Sequence, residues 1–349
     1  MSEREASYVD ALREAALQEM ARDPRVICFG LDVDDPKAIQ GTTRGLLAQF
    51  GPERVFGTPL AEDAMTGVAI GMALAGLRPI HVHIRMDFLL LAMNQLVNIA
   101  AKASYMYGGQ VHVPIVVRAM IGKSWGQGAQ HSQGLYPLFM NVPGLCVAAP
   151  TNPHDAKGCL IAAIREEDPV LMVEHRLLYP QRGPVPEAPY VVPPGRARVV
   201  ASGRDVTIVG ISHALIDCLR AERYLAAAGV SAEVIDPIWL APLDSETIAS
   251  SVARTGRLLV VDNGWTSCGA GAEIVARVAE GWSGERAPAV RRLGFAPTPC
   301  PPTPSLEKLY YPDPRSIATA AFDLVAGRST GWTPEERADA LGAPFRGPF

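Results

Sequence analysis

The strongest constraint on how this chain folds is a rhythm: short β-branched and apolar runs recur, each followed by a stretch of helical length. "DPRVICFGLDV", "RPIHVHI", "VPIVVRAMI", "LCVAAP" and "PVLMVEH" are the principal runs of the first half, read as buried strands, with "RVFGTPL" a further short extended segment. Between them fall a helix opening at Glu62 and reaching about Gly76, a long helix from about Met86 to Tyr107, and the helix "PHDAKGCLIAAIRE". Strands alternating with helices predict an α/β fold with a mostly parallel, doubly wound sheet. From Tyr179 to Arg196 proline is too frequent for a helix or a central strand, and beyond it "DVTIVGIS" to "CGAGAEIVARVAEG" repeats the rhythm. Two doubly wound domains are expected, residues 1–180 and 198–328, joined by a linker at 181–197. A tail, 329–349, is expected to lie along a surface or a partner.

Of the 349 residues 48% are hydrophobic and 19% charged, enough apolar surface for a large core. The 32 basic and 36 acidic residues leave a net charge of -4 with no long Lys/Arg block, which argues against nucleic acid as a partner. Six cysteines form no Cys-x-x-Cys pair and read as free thiols of a reducing compartment. No run reaches the roughly 20 apolar residues of a bilayer span, and the N-terminus lacks a signal-peptide pattern, so a cytoplasmic, membrane-free protein is expected.

The most informative stretch is "GTPLAEDAMTGVAIGMALAG", where Glu62 and Asp63 stand at the head of an apolar helix. Either carboxylate could be a first-turn acid favoured by the helix dipole. Gly67, Gly71 and Ala75 recur every fourth residue and form a bare stripe for another helix. That stripe, with Leu60 and Ala61, places Glu62 at a tightly packed interface, where an unpaired carboxylate is costly. Glu62 therefore needs a partner.

His131, in "WGQGAQHSQG", sits among glycines and hydrogen-bonding side chains, a setting suited either to proton transfer or to an ordinary loop histidine. His81 and His83 share one strand face; with no third ligand in view they read as structural rather than metal-binding. "LDVDD" reads as a solvated turn and "CGAGAEIVA" as a tight strand-to-helix turn, since it lacks the full Gly-x-Gly-x-x-Gly pattern.

Taken in order, the spacing Glu-x4-Gly-Φ-x-x-Gly-Φ (Φ apolar), "RVFGTPLAE", "MDFLLLAMNQLVNIAAKASYMYGGQ", "GAQHSQG", "PHDAKGCLIAAIRE", "DPVLMVEHRLLY" and "LEKLYYPD" resemble a known family. It is the β subunit of the thiamine-diphosphate-dependent first component of 2-oxo acid dehydrogenase complexes, and the likeness runs from about residue 5 to 325. The resemblance implies a pyrimidine-binding, transketolase-like domain followed by a transketolase C-terminal-type domain, in an α2β2 heterotetramer acting as an oxidoreductase. It implies that Glu62 hydrogen-bonds N1′ of the cofactor's aminopyrimidine, that Phe88 stacks on that ring, and that Leu60 and Ile84 line its apolar pocket. It assigns His131 to proton transfer and acyl transfer to a lipoyl arm. A K+ ion held by backbone carbonyls is a further implied ligand.

The chain has no Gly-Asp-Gly motif. In the family that motif, which holds Mg2+ and the diphosphate, belongs to the α subunit, so this chain alone is expected to be inactive. Two positions depart from the family: Leu31 stands where many members carry a carboxylate, and Arg85 precedes Phe88. Arg85 is either an outward arginine paired to an acid or a contact for an anionic substrate. Besides a 2-oxo acid dehydrogenase acylating lipoamide, two readings stay open: transfer of a two-carbon or acyl unit to a carbonyl acceptor, and a non-catalytic interaction subunit.

Overall fold

The computed structural model describes residues 4–123 and 126–335. Ser124, Trp125 and the tail beyond residue 335 lie outside the described residues. In chain order the strands are β1 (Glu5–Ser7), β2 (Val26–Gly30), β3 (Val55–Gly57), β4 (Arg78–His83) and β5 (Val116–Ile121). β6 (Cys146–Ala148), β7 (Val170–His175), β8 (Arg182–Pro184), β9 (Arg198–Ala201) and β10 (Val206–Gly210) follow. β11 (Ala232–Asp236), β12 (Trp239–Ala241), β13 (Arg257–Trp265) and β14 (Ala289–Phe295) complete the set.

They form two compact units. The first comprises the described residues up to Gly122, Leu138–Pro194 and Trp239–Pro242. Its seven-stranded sheet has the order β12-β6-β7-β5-β4-β2-β3, parallel except for β12. Every residue of β2, β4, β5 and β7 is buried, as expected of parallel strands covered on both faces. Gly30 permits the closest approach in this sheet: it has φ 146°, and a Cβ there would stand 2.2 Å from Val82 O.

Two features of this unit were hidden from periodicity. Within the proline-rich passage, Arg182–Pro184 makes an antiparallel ribbon with Glu5–Ser7, an edge position that proline tolerates. The expected single helix from Met86 to Tyr107 is broken instead into Met86–Leu89, a 3-10 turn at Leu90–Ala92, a π-helical stretch Asn94–Ala100, and Ala101–Met106. Polar Asn94, Gln95 and Asn98 occupy the widened turns, and Asn98 Nδ2 donates to Asn94 Oδ1 at 2.9 Å.

The second unit comprises Lys123–Pro137, Gly195–Ile238 and the described residues from Leu243. Its sheet has the order β14-β13-β10-β11-β9, with only β9 antiparallel. The core joins Val206, Ile208 and Val234 of the sheet to Leu215 and Leu225, and to Ile317 of the Pro314–Ala326 helix. Asp313 and Ser316 close a capping box at the start of that helix, and Trp332 stacks on Phe322 at 4.4 Å. The described part of the tail thus lies on its own domain.

Inside the first sheet, Arg118 of β5 is fully buried against Glu174 of β7, with contacts of 2.5 and 3.0 Å, while the Tyr179 hydroxyl donates to Glu174 at 2.9 Å. Removing one member of such a pair strands the other charge in the core. Glu174→Ala is expected to cost about 3–5 kcal/mol in chemical denaturation; a loss below about 1 kcal/mol, the range of exposed pairs, would contradict this account.

Candidate active site

The chain leaves the parallel sheet at the carboxyl ends of β2 and β3, which are neighbours, and β4 lies on the other side of β2. Open parallel sheets present their ligand sites at that edge. The segments concerned bring Leu31, Thr58, Pro59, Ala61, Glu62, Met65, His81, Val82 and His83 around one open pocket.

Glu62 is the first residue of the Glu62–Leu74 helix, entered through the non-helical Ala61 (φ -154°, ψ 74°). Its neighbour behaves differently. Asp63 is exposed, and its Oδ1 accepts from the Ala64 amide at 2.7 Å, while Glu62 is half-buried and lines the pocket. Both lie in the first turn, where the free amides favour negative charge. Only Glu62 carries that charge inward.

One turn on, Thr66 is fully buried and its Oγ1 lies 3.2 Å from His83 Nε2. His83 meets His81 edge-on at 4.4 Å, His81 stacks on Phe29 at 4.7 Å, and Phe29 stacks on Phe56 at 5.1 Å. Neither ring nitrogen of His81 completes a well-formed hydrogen bond, the backbone of Phe29 being the polar group beside it. Burial pushes His81 down to about 4 and His83 well below its ordinary value, the second ring adding to the effect. Both imidazoles are therefore neutral near pH 7 and offer Glu62 no cation. Among the described residues no group of three or more His, Cys, Asp and Glu side chains could hold a metal ion.

The other expected residues are distributed less compactly. Leu60 is 77% exposed, and Ile84, Arg85 and Phe88 are half-buried; none belongs to the lining around Glu62. Burial lowers the Arg85 guanidinium from its usual range, with the nearby Asp87 opposing the shift. Leu31 lines the pocket and gives it an apolar wall. His131, half-buried, belongs to the second unit, with its amide 3.5 Å from Gly128 O.

Among the described residues the expected tight helix interface at the glycine stripe is absent. Gly67, Gly71 and Ala75 are exposed, and a Cβ on either glycine would meet nothing within 4 Å. Val68 and Leu74 of the same helix are also exposed, as are Leu90, Leu91 and Ile99 of the segments packed beside it. The spacing predicts a face for close approach, and among the described residues no element covers it.

Comparison with known proteins shows the family of the chain. Residues 4–182 match the family described as Transketolase, pyrimidine binding domain, and residues 195–317 match Transketolase, C-terminal domain. The chain is 42% identical to the acetoin:2,6-dichlorophenolindophenol oxidoreductase subunit beta of Cupriavidus necator, over 93% of this chain and 98% of that protein. It is 41% identical to the mitochondrial pyruvate dehydrogenase E1 component subunit beta-1 of Arabidopsis thaliana, over 91% and 89%. Among solved structures, a split gene transketolase described as an inactive beta4 tetramer superposes with a TM-score of 0.73 at 23% identity, over 92% and 98%, a likeness of fold.

The depressed His81 value has a measurable consequence. Between pH 6.5 and about 4 the unfolded chain takes up a proton that the folded chain refuses, so stability falls as pH falls through that window. His81→Phe retains a ring against Phe29 and removes the titration. Its stability curve is expected to be flatter than wild type over that window, by up to about 3 kcal/mol; parallel curves would show that His81 does not titrate this way.

Proposed function

We propose, from the premise that this chain belongs to the family of β subunits of thiamine-dependent first components built from transketolase-type domains, that it is the β half of a 2-oxo acid dehydrogenase. In this reading it decarboxylates a 2-oxo acid and passes the acyl group to lipoamide, together with an α subunit in an α2β2 assembly. The observation that carries the reading is Glu62: a half-buried carboxylate at the carboxyl edge of a parallel sheet, bordered by Leu31, Val82 and two neutral histidines.

Thiamine diphosphate, when bound, supplies a carbon nucleophile and an electron sink for loss of the substrate carboxylate. The residues present suit its aminopyrimidine half. Glu62 would hold a proton at N1′, and the low polarity around it strengthens that hydrogen bond. Phe88 would stack on the ring, with Leu60 and Ile84 as apolar walls. His131 would move a proton and assist acyl transfer. Arg85 would contact an anionic group of the substrate.

The diphosphate half is a different matter. This chain has no Gly-Asp-Gly motif, so the proposal assigns Mg2+ and the diphosphate to the α subunit, and a K+ ion to backbone carbonyls. The exposed face of Gly67, Val68, Gly71 and Leu74, with the exposed Leu60, favours a chain that docks there. A lipoyl-bearing acyltransferase is the proposed acceptor and a cytoplasmic location is part of the same reading. All six cysteines are free, and among the described residues no helix is long and apolar enough to cross a membrane.

Coexpression with an α subunit carrying Gly-Asp-Gly, followed by a screen of 2-oxo acids with thiamine diphosphate and Mg2+, tests the proposal. Glu62→Gln is expected to lower decarboxylation by roughly 100-fold or more while the assembled complex elutes unchanged; undiminished turnover would sink the assignment. His131→Ala is expected to slow acyl transfer more than decarboxylation. Equal loss in both steps would remove its separate role.

A further inference from the structure

The segment that carries His131 is fastened at both ends within the second unit. At its start Lys123 Nζ lies 3.0 Å from Asp217 Oδ2 and 5.4 Å over the Tyr311 ring. In its middle the buried Ser132 side chain lies beside Cys300, which is itself buried. At its end Gly134 is pressed so closely onto β13 that a Cβ there would stand 1.9 Å from Asn263 O. Two residues later the fully buried Tyr136 donates its phenol O–H to Asp262 Oδ1.

Asp262 is not an incidental acceptor. It sits on β13 where the chain turns toward the Ala270–Glu280 helix, and the Ala270 and Gly271 amides lie beside its carboxylate. Burial raises Asp262 to about 6 and Tyr136 well above its usual value, so the phenol keeps its proton at neutral pH and donates. This bond ties a side chain of the His131 segment to a strand of the sheet, five residues from the imidazole.

We infer that the Tyr136–Asp262 hydrogen bond positions His131: β13 and the helix after it set the end of the loop, and the loop sets where the imidazole stands. Both are positioning residues, since neither is placed against the reacting groups. The catalytic part of this inference rests on the proposed role of His131; the geometric part does not.

The test uses the full chain assembled with its α subunit. Two quantities are read: the rate at which diethyl pyrocarbonate modifies His131, followed by peptide mass spectrometry, and the ratio of acyl transfer to decarboxylation. Tyr136→Phe fills the same space without the hydroxyl. It is expected to raise the His131 modification rate several-fold and to slow acyl transfer roughly 10- to 100-fold, with decarboxylation within about a factor of two. Asp262→Asn retains an acceptor oxygen and is expected to stay near wild type in both. Asp262→Ala breaks the bond from the other side and reads the same quantities if Tyr136→Phe fails to fold. Unchanged His131 modification and unchanged acyl transfer in a folded variant lacking the bond would overturn the inference. Altered modification in Tyr136→Phe, combined with intact acyl transfer in His131→Ala, would support the positioning and remove only the proposed role of His131.

Discussion

A carboxylate at the first turn of a helix, half out of water, is stabilised by free amides behind it and by whatever occupies the space in front. For Glu62 the near surroundings are apolar or neutral: Leu31, Val82, and two histidines that burial keeps uncharged. The sheet creates this setting. β2 and β4 approach closely because Gly30 has no Cβ, and the chain segments that leave β2 and β3 become the pocket's walls. Thr66, one turn after Glu62, hydrogen-bonds His83 and so links the helix that presents the carboxylate to the strand beneath it. The carboxylate's orientation is thereby a property of the first unit's fold.

Much of that fold is readable from the chain. Parallel strands covered on both faces are mostly apolar, so β2, β4, β5 and β7 stand out in the sequence even with Arg118, Glu174 and histidines among them, and the intervening helices follow from period and punctuation. The place of Glu62 at the pocket was suggested by the sequence, because an acid at the head of an apolar helix is unusual. The separation of Glu62 from Asp63 follows the helical period, which turns adjacent residues about 100° apart. The break of the Met86–Tyr107 stretch was hidden, because a π-helical turn changes spacing by one residue without changing composition. So was the contribution of Trp239–Ala241 to the first unit's sheet, where β12 pairs with β6 from a distant part of the sequence. Tyr136 and Asp262 lie 126 residues apart, and no local pattern marks either as the other's partner.

In the proposed function the two units divide the chemistry by kind. The first presents a carboxylate and a shaped apolar wall; the second carries His131 on a loop fastened through Lys123, Ser132, Gly134 and Tyr136. Preorganised groups of this sort lower barriers because their geometry is fixed during folding rather than at the moment of reaction. The glycine-striped face beside Glu62 fits the same logic at the level of assembly. Its exposed Val68 and Leu74 suit the docking of the second chain to which the proposed function assigns the diphosphate half of the site.

In the proposed assembly this chain owns half of a cofactor site. Calorimetric titration of thiamine diphosphate with Mg2+ into the chain alone, and into the chain assembled with an α subunit, tests it most directly. Saturable binding to the assembly and none to the isolated chain is the expected result. Binding to the isolated chain as tight as to the assembly would contradict it.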